Sequence, residues 1–184
     1  MEALDFAAAA QWESWLDGHH ELEAGAWLKI AKKGSGRTSI TPAEALDVAL
    51  CYGWIDSQRK AHDKDHYLQR YSPRRSGSAW SRVNVEKVEA LIADGRMREP
   101  GLAAILAAKA DGRWDAAYES QRNATVPPDL AAALADDERA RARFGQLGRT
   151  ERYALFLRLM KARTPENRAV QLDRIIASLS NPRR

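Results

Sequence analysis

At 184 residues, with 45% hydrophobic and 29% charged side chains, the chain has the balance of a globular protein able to bury a sizeable core. No apolar run reaches the roughly 20 residues of a membrane-spanning helix, Glu2 and Asp5 stand where a secretory signal would carry Lys or Arg, and one Cys excludes an internal disulfide, so a cytoplasmic protein with no membrane partner is expected. A formal charge of +4 favours acidic partners only mildly, which makes the position of the positive charge more informative than its total.

Residues 5–17 place Ala8, Trp12, Trp15 and Leu16 on one stripe of a 3.6-residue period, an amphipathic helix that Gly18 should end. His19 and His20 follow as a hydrogen-bonded loop pair rather than as metal ligands. Residues 26–32 alternate large apolar with small or cationic side chains, as a strand does, and Lys32-Lys33-Gly34-Ser35-Gly36-Arg37 is a basic, flexible loop. Its spacing is too short for a P-loop. Thr41-Pro42-Ala43-Glu44 starts a helix: Thr41 caps it, Pro42 takes the first helical position and Glu44 completes a capping box. Cys51 then falls among apolar neighbours as a small buried hydrophobe, and the helix stops near Gly53.

Trp54 to Ala61 and His66 to Tyr71 form a hairpin across Asp63-Lys64-Asp65, with Tyr67, Gln69 and Tyr71 on one face of the second strand and Leu68 and Arg70 on the other. A helix follows from about Ala79 to Ala93, with Val85, Val88, Leu91 and Ile92 buried. Beyond it the chain is helical: residues 100–110, a turn at 114–118, a linker at 121–128, then helices opening near Asp129 and Asp136. A final helical hairpin covers residues 150–162 and 164–179. The expected fold is α+β, a small, mainly antiparallel sheet from segments near 26–32, 54–61 and 65–71 flanked by helices, followed by a helical C-terminal module. The expected division is residues 1–122 and 123–184.

Four constellations carry possible chemistry. The first is anion recognition. From Arg70 to Arg82 the chain holds Arg70, Arg74, Arg75 and Arg82 and no carboxylate, directly before a helix start that offers Ser76, Ser78, Ser81 and Asn84. The expected site is a pocket walled by Trp54 and Trp80, with Arg70 and Arg74 on the anion, Asp56 orienting an Arg, and Ser72, Ser78, Ser81 and Asn84 as further ligand-binding donors. The second is acid–base chemistry at Asp56, whose partner would be His20, His62 or Asp63; an arginine-paired Asp56 is a poor general acid, and no catalytic residue is assigned. The third is metal binding by His62 and His66, four apart but across a turn and with no completing Cys or Glu; no metal and no cofactor is assigned. The fourth is nucleic acid, which would stack on Trp27, Trp54, Tyr67, Tyr71 and Trp80 and would need the Lys32–Arg37 loop and the arginine run to form one basic stripe. It ranks below a small anionic ligand, and nothing in the sequence specifies an oligomeric state.

The blocks WLDGHHELEAGAWLKIAKKGSG, EALDVALCYGWIDSQ, RYSPRRSGSAWSRVN and GRMREPG, with AKADGRWDAAY and VPPDLAAAL, resemble the YdeI/OmpD-associated (OmdA-like) bacteriocin-protection family over roughly residues 10–180. The resemblance implies a bacterial cytosolic protein linked to survival against bacteriocins or cationic antimicrobial peptides, without an established enzymatic activity or cofactor. It carries over onto Gly53, Trp54, Ile55, Asp56, Arg70, Ser72, Pro73, Arg74, Ser78, Trp80, Ser81 and Asn84. The last helix departs from the family pattern: Asn167 to Arg174 is less basic than the consecutive arginines the family implies there.

Overall fold

The computed structural model describes residues 3–181. The chain forms two compact units, one of residues through Trp80 together with Asn84–Ala116, the other of Ser81–Val83 together with the chain from Ala117 on. The architecture is α+β, with the helices of the second unit following a single small sheet.

The first unit is built on three strands, β1 (Ala26–Ala31), β2 (Trp54–Ala61) and β3 (His66–Pro73), in the order β1-β3-β2 with both pairings antiparallel. In that register Tyr71 sits between Ala26 and Asp56, and Gln69 between Leu28 and Arg59. Side chains alternate along a strand, so Tyr67, Gln69 and Tyr71 share one face and Leu68, Arg70 and Ser72 the other. The first face is the core face: Tyr71 and Gln69 are buried, and helix α1 (Ala9–His19) lays Trp12 and Leu16 in the core with them. Trp12 meets Trp54 at 6.0 Å and Tyr71 at 5.9 Å between ring centroids. These two indoles also find acceptors, Trp12 Nε1 on Ala45 O at 3.1 Å and Trp54 Nε1 on His20 O at 2.7 Å, which removes the cost of burying an N–H.

Helix α1 differs from its sequence reading at both ends. It begins at Ala9 rather than near residue 5, because Leu4 is drawn into a bridge beside Leu28. It also runs through Gly18 to His19, because the histidine rings supply the ending that the glycine does not. His19 Nδ1 lies 2.7 Å from Trp15 O and its ring stacks on Trp15 at 4.3 Å, while His20 Nδ1 lies 3.3 Å from Leu16 O.

Helix α2 (Pro42–Cys51) has the expected capping box: Thr41 Oγ1 accepts from the Glu44 amide and the Glu44 carboxylate from the Thr41 amide, at 3.2 and 2.9 Å. Hydrogen bonds from Thr41, first from its side chain and then from its backbone, hold the Glu44 carboxyl below its usual range. At the other end Gly53 adopts φ +73°, the left-handed conformation that turns a helix end into a strand at no steric cost. A Cβ there would also come within 2.9 Å of Pro100 O on helix α4 (Glu99–Ala110). Gly101 faces the same crowding from the other side, since its missing Cβ would collide with Cys51 O. Cys51 is buried, and burial pushes its thiol up, so it behaves as an apolar filler. Helix α3 (Arg82–Ala93) starts three residues later than its expected start near Ala79 and buries Val85, Val88 and Leu91. Ile92, expected in that stripe, is 42% exposed.

The second unit is a four-helix core: α5 (Pro128–Asp136), α6 (Glu138–Gln146), α7 (Arg149–Met160) and α8 (Pro165–Ser180) enclose Leu130, Leu134, Phe156, Leu159, Ile175 and Leu179. Thr164 caps α8 through the Asn167 amide, as its Thr-Pro start requires. Arg168 ties three helices together. It grips Asp129 through Nε at 2.7 Å and Nη2 at 2.9 Å, and donates from Nη1 to Leu159 O at 2.9 Å. That hydrogen bond from Arg168 is the main reason the Asp129 carboxyl sits below its usual range.

Gly101→Ala is expected to destabilise the protein by about 1–3 kcal/mol through overpacking against Cys51. Gly145→Ala, at a helical position with nothing within 4 Å, should be neutral or slightly stabilising; urea midpoints compare the two. Asp129→Asn should cost about 1 kcal/mol at neutral pH, the upper end for a half-exposed ion pair, here bidentate. The folded-state pKa of Asp129 is depressed, so its contribution is present above the unfolded carboxyl value near 3.9 and fades as pH falls through the folded value. Unfolding curves of wild type and Asp129→Asn should therefore converge below about pH 4.

Candidate anion-binding site

The core face of β3 is filled, so its chemistry lies on the other face and beyond its end. There Arg70, Ser72, Arg74, Arg75 and Ser76 line a cleft of about 470 Å³, with Glu23 on the opposite rim. Two of the guanidiniums donate to backbone carbonyls. Arg70 Nη2 donates to Ala24 O at 2.8 Å, and Arg74 Nη2 to Ala79 O at 2.8 Å. A carbonyl orients a guanidinium without cancelling its charge. Among the described residues lining the cleft, three are arginines and one is a carboxylate.

Beneath the cleft lies a bracket that holds Arg74. Its guanidinium lies 3.8 Å from the centre of the Trp80 ring, and Trp80 packs against Trp114 at 5.0 Å. Arg113, itself buried, donates to Ser78 O at 3.1 Å while its Nε grips the Asp111 carboxylate at 2.7 Å. The segment between β3 and α3 is thus shaped by two arginines bonding to its carbonyls, an irregular loop with its backbone acceptors satisfied from the side.

The expected site residues divide accordingly. Arg70, Ser72 and Arg74 come together at the cleft. Trp54 and Trp80, expected as its walls, are buried instead, Trp54 in the aromatic core under α1 and Trp80 in the bracket. Ser78 also belongs to the bracket, through its carbonyl. Asp56, expected to orient an arginine, is paired in register with Tyr71 and so projects from the opposite face to Arg70, exposed to solvent. Burial first, and then the Asp56 charge, push the Tyr71 hydroxyl above its ordinary pKa. Ser81 pairs with Tyr118, and Asn84 is half-buried in the first turn of α3; neither lines the cleft. His62 and His66 both turn to Asp63, at 3.8 and 3.1 Å. Asp63 also accepts the Asp65 and His66 amides, which fixes the hairpin turn. Its slight desolvation works upward, but those donors outweigh it and hold the carboxyl at about 2. Among the described residues no group of three metal-ligating side chains is assembled.

Sequence reasoning missed Glu23 and Arg113. Both reach the site from segments distant along the chain, Glu23 because the turn before β1 closes tightly on Tyr71 and Ser72. No local pattern announces either.

An α+β unit with an arginine-lined cleft, followed by a helical unit, is the class that the fold defines. Residues 4–104 match the family model described as a domain of unknown function (DUF8412), and residues 123–181 match the one described as Bacteriocin-protection, YdeI or OmpD-Associated. The chain belongs to the first family through the domain that holds the cleft, and carries a YdeI/OmpD-associated bacteriocin-protection domain after it. The GWID and SPR blocks fall within the first match, not the second. No curated protein and no solved structure matches the chain.

Arg74→Ala removes both a cation–π contact and a hydrogen bond, and should lower stability by about 1–2 kcal/mol. Arg75→Ala, at an exposed position, should stay within about 0.5 kcal/mol of wild type. Urea unfolding followed by tryptophan fluorescence measures both.

Proposed function

We propose that the protein is a non-catalytic binding protein of the cytoplasm that holds a small anionic ligand in the cleft formed by Arg70, Arg74 and Arg75. The observation that carries this reading is the neutral anchoring of Arg70 by Ala24 O, beside exposed Arg75, which presents an oriented positive charge at the cleft to a carboxylate or phosphate. Ser72 and Ser76 add hydroxyl donors at the same cleft. Among the described residues lining it, Glu23 is the one carboxylate and none is a histidine, which favours capture of a ligand over acid–base turnover.

A link to bacteriocin or antimicrobial-peptide protection rests on the description of the C-terminal family. Direct capture of cationic peptides fits poorly with a chain of net charge +4. Protection is therefore read as indirect, through the anion the protein binds.

The test is a thermal-unfolding screen against phosphates, carboxylates and phosphorylated sugars. Arg70→Gln and Arg75→Gln are the diagnostic variants, because Arg74 also supports the fold. A ligand at about 100 times its dissociation constant adds about 2.7 kcal/mol, a rise of roughly 5–10 °C for a chain of this size. The rise should vanish in both variants, and exposed Arg75→Gln should keep its ligand-free midpoint. A ligand whose effect survives both substitutions would remove the cleft from the account.

A further inference from the structure

The basic loop Lys32–Arg37 takes no part in the arginine cleft. Ala31 pairs with His66 at the first residue of β3, whereas Ser72 and Arg74 lie at its last residues and beyond. At about 3.3 Å per residue the two regions are roughly 20 Å apart. The single basic stripe that a nucleic-acid surface would need is therefore interrupted, and the loop calls for its own explanation.

At that far end the loop borders a larger hollow, of about 710 Å³. Lys32, Lys33, Arg37 and Arg59 line it, and none of the described residues lining it is a carboxylate. Arg37 is neutralised from outside by Asp65 at 3.3 Å. Arg59 and Lys32 are held by uncharged acceptors: Arg59 Nε donates to Gln69 Oε1 at 3.2 Å, and Lys32 Nζ to Asp63 backbone O at 2.7 Å. The Arg59 guanidinium also lies 4.3 Å from the Tyr67 ring centre. With exposed Lys33, three positive charges thus face one hollow without a paired anion in it. Beside them the lining turns apolar, with Ile40, Pro42 and Tyr67. Gly34 and Gly36 take left-handed φ values of +82° and +70°, with open space where a side chain would stand, so the loop backbone can lie directly against a bound molecule.

We propose that this hollow is a second binding site, distinct from the arginine cleft, for a nucleotide: its phosphate set among Lys32, Lys33 and Arg59, its flat apolar base against Pro42 and Tyr67. Both chemistries are needed. A nucleoside would leave three cations unmatched, and inorganic phosphate would leave the apolar wall wet. The volume is within the range of small-molecule sites, about 300–1,000 Å³.

The test titrates the full chain by calorimetry with the four ribonucleoside monophosphates and triphosphates, the four nucleosides, and inorganic phosphate. Lys33→Glu and Arg59→Gln are compared with Arg75→Gln, which lies in the other cleft. The expected result is saturable binding of at least one nucleotide, with its nucleoside and inorganic phosphate weaker by about tenfold or more. Lys33→Glu and Arg59→Gln should each weaken binding by about tenfold or more, while Arg75→Gln should match wild type. Lys33 is exposed, so its substitution tests binding without a folding cost, which the unfolding midpoint verifies. Absence of saturable nucleotide binding would overturn the proposal, as would a nucleoside binding as tightly as its phosphate, or binding lost in Arg75→Gln and kept in Lys33→Glu. Binding of polynucleotide alone would overturn it too, in favour of a nucleic-acid surface.

Discussion

The alternation of β3 is the constraint on which the rest of the first unit depends. As the middle strand of three, it is paired along both sides, and its register is locked by the need to bury Gln69 and Tyr71, the latter against Trp12 of α1. Once Tyr71 is inside, Arg70 and Ser72 must be outside. A slip of one residue would exchange an aromatic ring for a guanidinium in the core, at a cost of several kcal/mol. The cleft is thus a by-product of core packing: its arginines stand where the buried face forces them.

How those arginines are held matters as much as where they stand. Several arginines in this chain pair with carboxylates, as Arg98 does with Glu13 and Arg168 with Asp129. Arg70 and Arg59 instead bond to carbonyl or amide oxygens. The difference decides what each region is available for. A carboxylate partner spends the charge on folding, whereas a neutral acceptor spends only geometry and leaves the charge to attract a partner from solution. Both hollows of the first unit are built on the second arrangement.

Much of this was legible in the sequence. Thr41-Pro42-Ala43-Glu44 and Thr164-Pro165 specified helix starts because capping is local, and the two faces of β3 followed from a period of two. Pairing of 54–61 with a strand expected over 66–71, and observed over His66–Pro73, followed from a short turn that Asp63 ties with its own side chain. What failed was non-local. Trp54 and Trp80 looked like pocket walls because tryptophan beside arginine reads equally well as ligand surface or as core. Only the positions of Trp12 and Trp114, distant in sequence, decide for core. Asp56 was assigned to an arginine on proximity along the chain, whereas strand alternation sends the two to opposite faces. Gly18 read as a helix stop because glycine usually is one; two histidine rings bonding back to Trp15 O and Leu16 O carried the helix one residue past it.

Of the two outer strands of the sheet, β2 bears on how the protein behaves in company. An outer strand offers a row of free backbone N–H and C=O groups to any other extended chain, the usual seed of β-aggregation. Here β2 occupies that position beside β3, and its register slips between Asp56 and Arg59, an irregularity that bends the strand. Arg59 and Lys60 follow the kink, exposed and positive, with Lys60 reaching over Trp27 at 4.5 Å. A second molecule docking edge to edge would have to match a bent backbone and set like charges side by side. Arg59 thus belongs both to the lining of the larger hollow and to an edge whose shape and charge disfavour such pairing.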